Sequence, residues 1–115
     1  MEILRQRTPL SHLRSRCMTH FQEMIKADVD VERHVMAVDA EMHADLEAEL
    51  LSDGSDQQHI WGINLYPGKA GTQFIEYHSL INIRPSQGNL SMSISDPGLR
   101  ASITAVVEEL VDRDA

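Results

Sequence analysis

The chain predicts a single α+β domain spanning residues 1–115, with one antiparallel β-sheet of four to five strands and the N- and C-terminal helices packed on one face of it. Three observations carry that reading. Residues 27–41 and 59–83 alternate apolar and polar side chains with the period of two that marks a half-buried strand. Flanking them, residues 9–25 and 96–111 carry apolar side chains at helical spacing. A chain of 115 residues with 42% hydrophobic content is also long enough for one core and short for two.

Ile3 and Leu4 predict a short edge strand. Thr8-Pro9 predicts a helix start, since a threonine hydroxyl can accept an unpaired backbone N–H and proline has no N–H to leave unpaired. Leu10, Leu13, Cys17, Phe21 and Met24 then define the buried stripe of a helix over residues 9–25. Between 27 and 41, Val29 and Val31 alternate with Asp28, Asp30 and Glu32, and Val35 to Val38 follow, which predicts a hairpin. A turn at Arg33-His34 sets Val31 opposite Met36 and Val29 opposite Val38, with Asp28, Asp30, Asp39 and Glu41 on the other face. Neither turn residue favours positive φ, so a longer loop would shift that register.

Residues 44–51, rich in Ala, Leu and Glu, predict a short helix that Gly54 ends in a left-handed cap. Strand resumes with Trp61, Ile63 and Leu65 on one side. After the Pro67-Gly68-Lys69-Ala70-Gly71 loop, Ile75, Tyr77, Ile81 and Ile83 continue that pattern. Pairing Leu65 with Ile75 and Ile63 with Tyr77 brings Trp61 opposite Ser79, a large side chain against a small one. Asp96-Pro97 opens the last helix by cap-then-proline logic, and Leu99, Ile103, Val106, Val107, Leu110 and Val111 form its buried stripe.

Composition narrows function mainly by exclusion. A net charge of -8 argues against broad nucleic-acid binding, which depends on neutralising phosphates. The charge is uneven: residues 1–26 hold five Lys/Arg against two acids, +3, and the remainder carries -11. The basic segment is expected to dock on the acidic body of its own chain or of a second copy; a membrane-surface helix is the sharper alternative. No apolar run has the length of a membrane span, and no secretory leader is visible, so a soluble cytoplasmic protein is expected. One cysteine, Cys17, rules out an internal disulfide and a multi-cysteine metal site, and its place on an apolar stripe predicts a buried thiol. No cofactor is predicted, since glycine-rich phosphate loops, H-E-x-x-H and G-x-S-x-G are all missing.

Three weaker constellations remain. In Glu41-Met42-His43-Ala44-Asp45, His43 and Asp45 are candidate metal ligands, two apart on extended chain, although acids in a first helical turn and a capping or buried imidazole account for them equally. The polar side of the second hairpin offers Asn64, Glu76, His78, Asn82 and Arg84, beside Asp28, Asp30, Asp39 and Glu41 of the first. That surface suits a partner or general acid–base work, or is a solvated face laced with ion pairs. In Arg84-Pro85-Ser86-Gln87-Gly88-Asn89, a turn of N–H groups beside Arg84 suits a small anion, with Gln87 and Asn89 at its rim; an ordinary turn has the same composition.

The runs Val29-Asp30-Val31-Glu32, Glu41-Met42-His43-Ala44-Asp45, Asp53-Gly54-Ser55, Trp61-Gly62-Ile63-Asn64-Leu65-Tyr66-Pro67, Ile75-Glu76 and Ser79-Leu80-Ile81-Asn82-Ile83-Arg84-Pro85-Ser86-Gln87-Gly88-Asn89 resemble, in order, a family of small bacterial and archaeal proteins known as a domain of unknown function. The resemblance covers most of the chain and implies no activity or catalytic residue. It directs attention to the polar residues within the motifs. Two departures stand out: Asp39-Ala40 where relatives tend to have glycines, and Leu90 where an arginine is common.

With no catalytic signature, the leading expectation is a non-enzymatic interaction or regulatory module, acting on a protein partner or as a homodimer through the polar sheet face or the loop 67–73. A small polar or anionic ligand is a further candidate for that face. The alternative is a small metal- or acid–base-dependent enzyme centred on His43, Asp45, His78 and Arg84, which requires those four side chains to converge in one pocket. Nucleic-acid binding through the arginines of residues 5–16 ranks third.

Overall fold

The computed structural model describes residues 1–115, and its elements are β1 (Glu2–Leu4), β2 (Thr8–Pro9), α1 (Leu10–Arg16), β3 (Ile25–Asp30), β4 (Val35–Val38), α2 (His43–Ser52), β5 (Ile60–Leu65), β6 (Ile75–Glu76), α3 (Pro97–Leu110) and β7 (Val111–Asp112). Five strands form one antiparallel sheet in the order β1-β4-β3-β5-β6. The two alternating stretches of the sequence thus join directly, β3 against β5 from Ile25–Leu65 to Asp30–Ile60. A two-residue parallel pair, β2 with β7, ties the start of the chain to the end of α3.

One face of the sheet presents Ala27, Val29, Met36, Val38, Trp61, Ile63 and Leu65, and these share the larger buried cluster with Leu10 and Leu13 of α1 and Ile103, Val106, Val107 and Leu110 of α3. The N- and C-terminal helices therefore meet the same apolar face. The opposite face is covered as well. Leu46 and Leu50 of α2 join Val35, Ala37, Ala40 and Ile60 in a second buried cluster, and each fully buried leucine there contributes roughly 1.5–3 kcal/mol. The expectation of a solvated polar face is corrected by this helix, under which Asp28 and Asp30 are completely buried.

The first helix is shorter than its apolar stripe predicts. It stops at Arg16, because Ile25 is drawn into β3 opposite Leu65 and the Thr19 backbone N–H turns to the Asp39 carboxylate at 3.1 Å. Thr8 does not cap it; that hydroxyl donates to the Gln6 carbonyl. Asp96 does cap α3, accepting the Gly98 N–H at 3.0 Å. The β3–β4 turn spans residues 31–34, so Val29 faces Met36 and Ala27 faces Val38, a two-residue shift from the tight-turn register. Asp30 drives that shift: its Oδ1 accepts the N–H groups of Glu32 and Arg33, and His34 takes a φ of 56° to close the loop.

Asp39 also lies in the left-handed region, at a φ of 73°. Glycine is the residue that adopts this conformation freely. Here the Thr19 hydroxyl anchors the aspartate, 2.7 Å from Oδ1 and 2.9 Å from Oδ2. The basic N-terminal segment docks on its own chain, as expected. Arg5 reaches Asp53 at 2.6 Å, Arg33 reaches the same carboxylate at 2.7 Å, and Arg7 reaches Asp112 at 3.5 Å. The two arginines hold the Asp53 carboxyl at a pKa of about 2.

β6 pairs with β5 in the predicted register, Leu65 with Ile75, but only for two residues. Beyond it residues 79–95 run as turns, including the 3-10 helices Leu80–Asn82 and Pro85–Gln87, so the predicted strand through Ile83 is corrected. The cause sits at Gly62. A Cβ on that residue would lie 2.6 Å from the Ser79 Cβ and 2.7 Å from its hydroxyl, so only glycine lets the 79–82 segment close on β5. Gly62→Ala should therefore destabilise the fold by about 1–3 kcal/mol through overpacking, read as a lower urea midpoint, with Ser79→Gly restoring part of the loss in the double variant. An unchanged midpoint would show that the segment gives way freely.

Candidate functional site

Four of the seven residues predicted for the polar surface, Asn64, Asn82, Arg84 and Asn89, are buried, and the last three fasten the interior. Asn82 is fully buried, and its carboxamide lies along the open edge of β5. Nδ2 donates to the Gly62 carbonyl at 2.9 Å while Oδ1 accepts the Gly62 N–H at 2.8 Å, the pair of bonds that a strand residue would supply. Arg84 completes the edge. It donates from Nη1 to the Gln57 carbonyl at 2.8 Å, from Nε to the Ile81 carbonyl at 3.1 Å and from Nη2 to the Ile60 carbonyl, and its guanidinium stacks 4.5 Å over Trp61.

Asn89 gathers the loop behind them. Its Nδ2 donates to the carbonyls of Asn82 at 2.7 Å, Ser91 at 3.0 Å and Ser93 at 3.0 Å. The anion-site expectation for residues 84–89 is corrected by the same contacts, because Arg84 is already spoken for by carbonyls and by Glu47 at 3.4 Å. Burial lowers its pKa, opposed by the carboxylates of Glu47 and Asp28. Gln87 is exposed and donates to the Gln58 carbonyl at 2.9 Å.

The metal expectation for His43 and Asp45 meets a helix instead of extended chain. Two residues apart on α2 they point about 160° from each other around the axis, so they do not share a ligand sphere. His43 is buried and its Nε2 donates to the Ile63 carbonyl at 2.8 Å, which fixes the proton on that nitrogen. Burial lowers its pKa, with the Ile63 bond opposing. Asp45 opens onto a separate depression with His20 and Glu41. The four residues of the enzyme alternative are thus not brought together: His43 and His78 line one cavity of about 230 Å³ beside Asn64 and Leu80, while Asp45 and Arg84 lie elsewhere.

Glu76 and His78 are exposed, and they border a larger groove of about 860 Å³ between residues 66–78 and α3. Asn64 Nδ2 at 2.8 Å and the Tyr66 hydroxyl at 3.1 Å both donate to the Glu76 carboxylate. Three cations enter this groove, each resting on an aromatic ring: Lys69 at 4.3 Å over Tyr66, Arg100 at 4.7 Å over Tyr77 and Arg113 at 4.2 Å over Phe74. Lys69 belongs to the loop singled out in the sequence. Arg100 and Arg113 do not, since nothing in their local pattern distinguishes an arginine on an exposed helix turn from one aimed into a groove.

Asp28, expected on the polar outer face, is instead fully buried. It pairs in the ladder with Ala37 on one side and Gly62 on the other, and neither carboxylate oxygen has a hydrogen-bond partner. Burial pushes its pKa well above the usual carboxylate range, reinforced by Glu47 and opposed by Arg84.

These features define an α+β protein whose central sheet is covered on both faces, with polar motifs turned into scaffold and a cation-lined groove at one edge. The chain belongs to the family described as protein of unknown function (DUF5674), whose model matches residues 2–110. No curated protein and no solved structure matches it.

Two outcomes follow. Asn82→Ala orphans the Gly62 N–H and carbonyl and should cost roughly 2–4 kcal/mol in urea unfolding; a loss within experimental error would show that water replaces the amide. For Asp28, the folded state favours the neutral acid, so its contribution to stability is present at low pH and is lost as pH rises from about 4 through the raised value. Asp28→Asn, which lacks that titration, should match the parent near pH 4 and unfold at a higher urea midpoint than the parent near pH 8. Parallel pH profiles for the two proteins would count against the buried acid.

Proposed function

We propose that the chain is a non-enzymatic binding module that holds an acidic segment of a partner protein in the groove between residues 66–78 and α3. The observation that carries this reading is the set of three ring-seated cations in a chain whose net charge is -8. A guanidinium or ammonium group laid on an aromatic face keeps its outer side open for a second contact, and it has already lost the rotamer freedom that recognition would otherwise cost.

Two of the three are free of carboxylates. Arg113 pairs with Glu108 at 3.3 Å, whereas Arg100 donates only to the Ile94 carbonyl and the Ser93 hydroxyl, and Lys69 enters no ion pair. Glu76 is occupied by Asn64 and Tyr66, so its charge is partly answered within the groove. The chain's net charge of -8 disfavours a polyanion that spreads beyond the groove, which favours a short acidic stretch over a long nucleic acid.

A fluorescein-labelled glutamate-rich peptide titrated with the protein tests this by anisotropy. The parent should bind, more weakly as salt rises. The Lys69→Ala/Arg100→Ala variant should bind at least about tenfold more weakly, a difference of about 1.4 kcal/mol, and a lysine-rich peptide should not bind. Equal affinity of parent and variant, or binding indifferent to salt, overturns the proposal.

A further inference from the structure

Away from the groove, β1 and α1 bring three side chains of different chemistry to one point. Glu2 and Leu4 alternate onto the α1 side of the sheet, and Leu4 continues into the core there. His12 is on α1 and Cys17 closes its last turn, its N–H donating to the Leu13 carbonyl at 2.9 Å. The Glu2 carboxylate sits between them: His12 Nε2 lies 2.9 Å from Oε1 and 3.0 Å from Oε2, and the Cys17 thiol donates to Oε2 at 3.3 Å. Carboxylate oxygen, imidazole nitrogen and sulfur all fall within 4.8 Å of one another.

We propose that Glu2, His12 and Cys17 form a binding site for a single zinc ion. The donor set is the mixed oxygen, nitrogen and sulfur set that zinc takes, with bonds of about 2.0–2.3 Å and tetrahedral angles, which place ligand atoms roughly 3.3–3.8 Å apart. The present separations, 2.9 Å and 3.3 Å to the Glu2 carboxylate and none beyond 4.8 Å, lie close to those distances. Charge also balances, since one thiolate and one carboxylate offset a divalent cation. Cys17 is buried while Glu2 and His12 are partly open, so the ion enters from the solvent side and a water completes its sphere there.

The metal-free arrangement keeps the thiol protonated. Burial, followed by the Glu2 bond, pushes its pKa up to about 12, and the proton it shares with Glu2 stands where the cation would be. Zinc binding displaces that proton, Cys-SH + Zn²⁺ → Cys-S–Zn⁺ + H⁺.

Cobalt(II) is the probe, because a thiolate ligand gives it an intense near-ultraviolet charge-transfer band that nitrogen and oxygen ligands do not. The parent should show that band, with added zinc abolishing it. Cys17→Ser should lack the band and bind zinc at least a hundredfold more weakly, and His12→Gln and Glu2→Gln at least tenfold more weakly, with folding of each checked by circular dichroism. The His34–Glu109 pair, at 2.9 Å but without a thiol, supplies the control, and His34→Gln should change nothing. A folded parent with no charge-transfer band, or a folded Cys17→Ser variant with undiminished zinc affinity, overturns the site.

Discussion

One carboxamide stands in for a missing strand. β5 needs a hydrogen-bonding neighbour beyond the two residues that β6 provides, and Asn82 supplies it by bonding both the N–H and the carbonyl of Gly62. Much of the surrounding sequence follows from that single substitution of side chain for backbone. Residue 62 must lack a Cβ so that Ser79 can approach. Arg84 must answer the Ile60 carbonyl on the same edge and that of Gln57 in the turn before the strand. Asn89 must hold the turn that brings Asn82 into place. A buried amide or carbonyl left without a partner is costly, so these polar residues are interdependent, and their specific spacing in the sequence reflects architecture.

The sheet was legible because its information is local and periodic. The alternation around Val29 and Ile63 marks strands whichever elements cover them, and the Leu65–Ile75 register follows from matching the two patterns. The Asp96-Pro97 helix start was legible for the same reason. What resisted reading depends on contacts distant in sequence. The stripe from Leu10 to Met24 looks helical throughout, yet Ile25 gains a ladder partner in Leu65 and Thr19 an anchor in Asp39, and the helix ends early. Asp28 and Asp30 read as solvent-facing because nothing in their own segment announces that α2 will lie across them. The polar motif of residues 79–89 was correctly marked as special and wrongly taken as surface: inward amides and outward amides share one alphabet. Of the candidate surface, Glu76, His78 and Gln87 stayed exposed, and the groove beside the first two draws most of its charge from α3 and the segment after it, where the sequence carries no motif.

The distribution of charge ties these observations together. Five of the ten Lys/Arg residues are committed to ion pairs within the chain, Arg5 and Arg33 on the one carboxylate of Asp53. The cations left over are few, and in a molecule of net charge -8 their position matters more than their number. Two of them, Lys69 and Arg100, meet in the groove. The Glu2, His12 and Cys17 cluster lies apart from it, on the side where β1 meets α1. The protein therefore carries two chemically different surfaces on one rigid sheet, neither of which disturbs the buried amide network between β5 and residues 79–89.

The outermost strands of the sheet are three residues long at β1 and two at β6, and the stretch of β5 beyond β6 is closed by side chains. An edge so brief offers almost no template for an incoming backbone. Edges this short disfavour the stacking of copies of this chain by continuation of the ladder and favour assembly through side-chain contacts. Such contacts are open to tuning by single substitutions in a way that a backbone ladder is not.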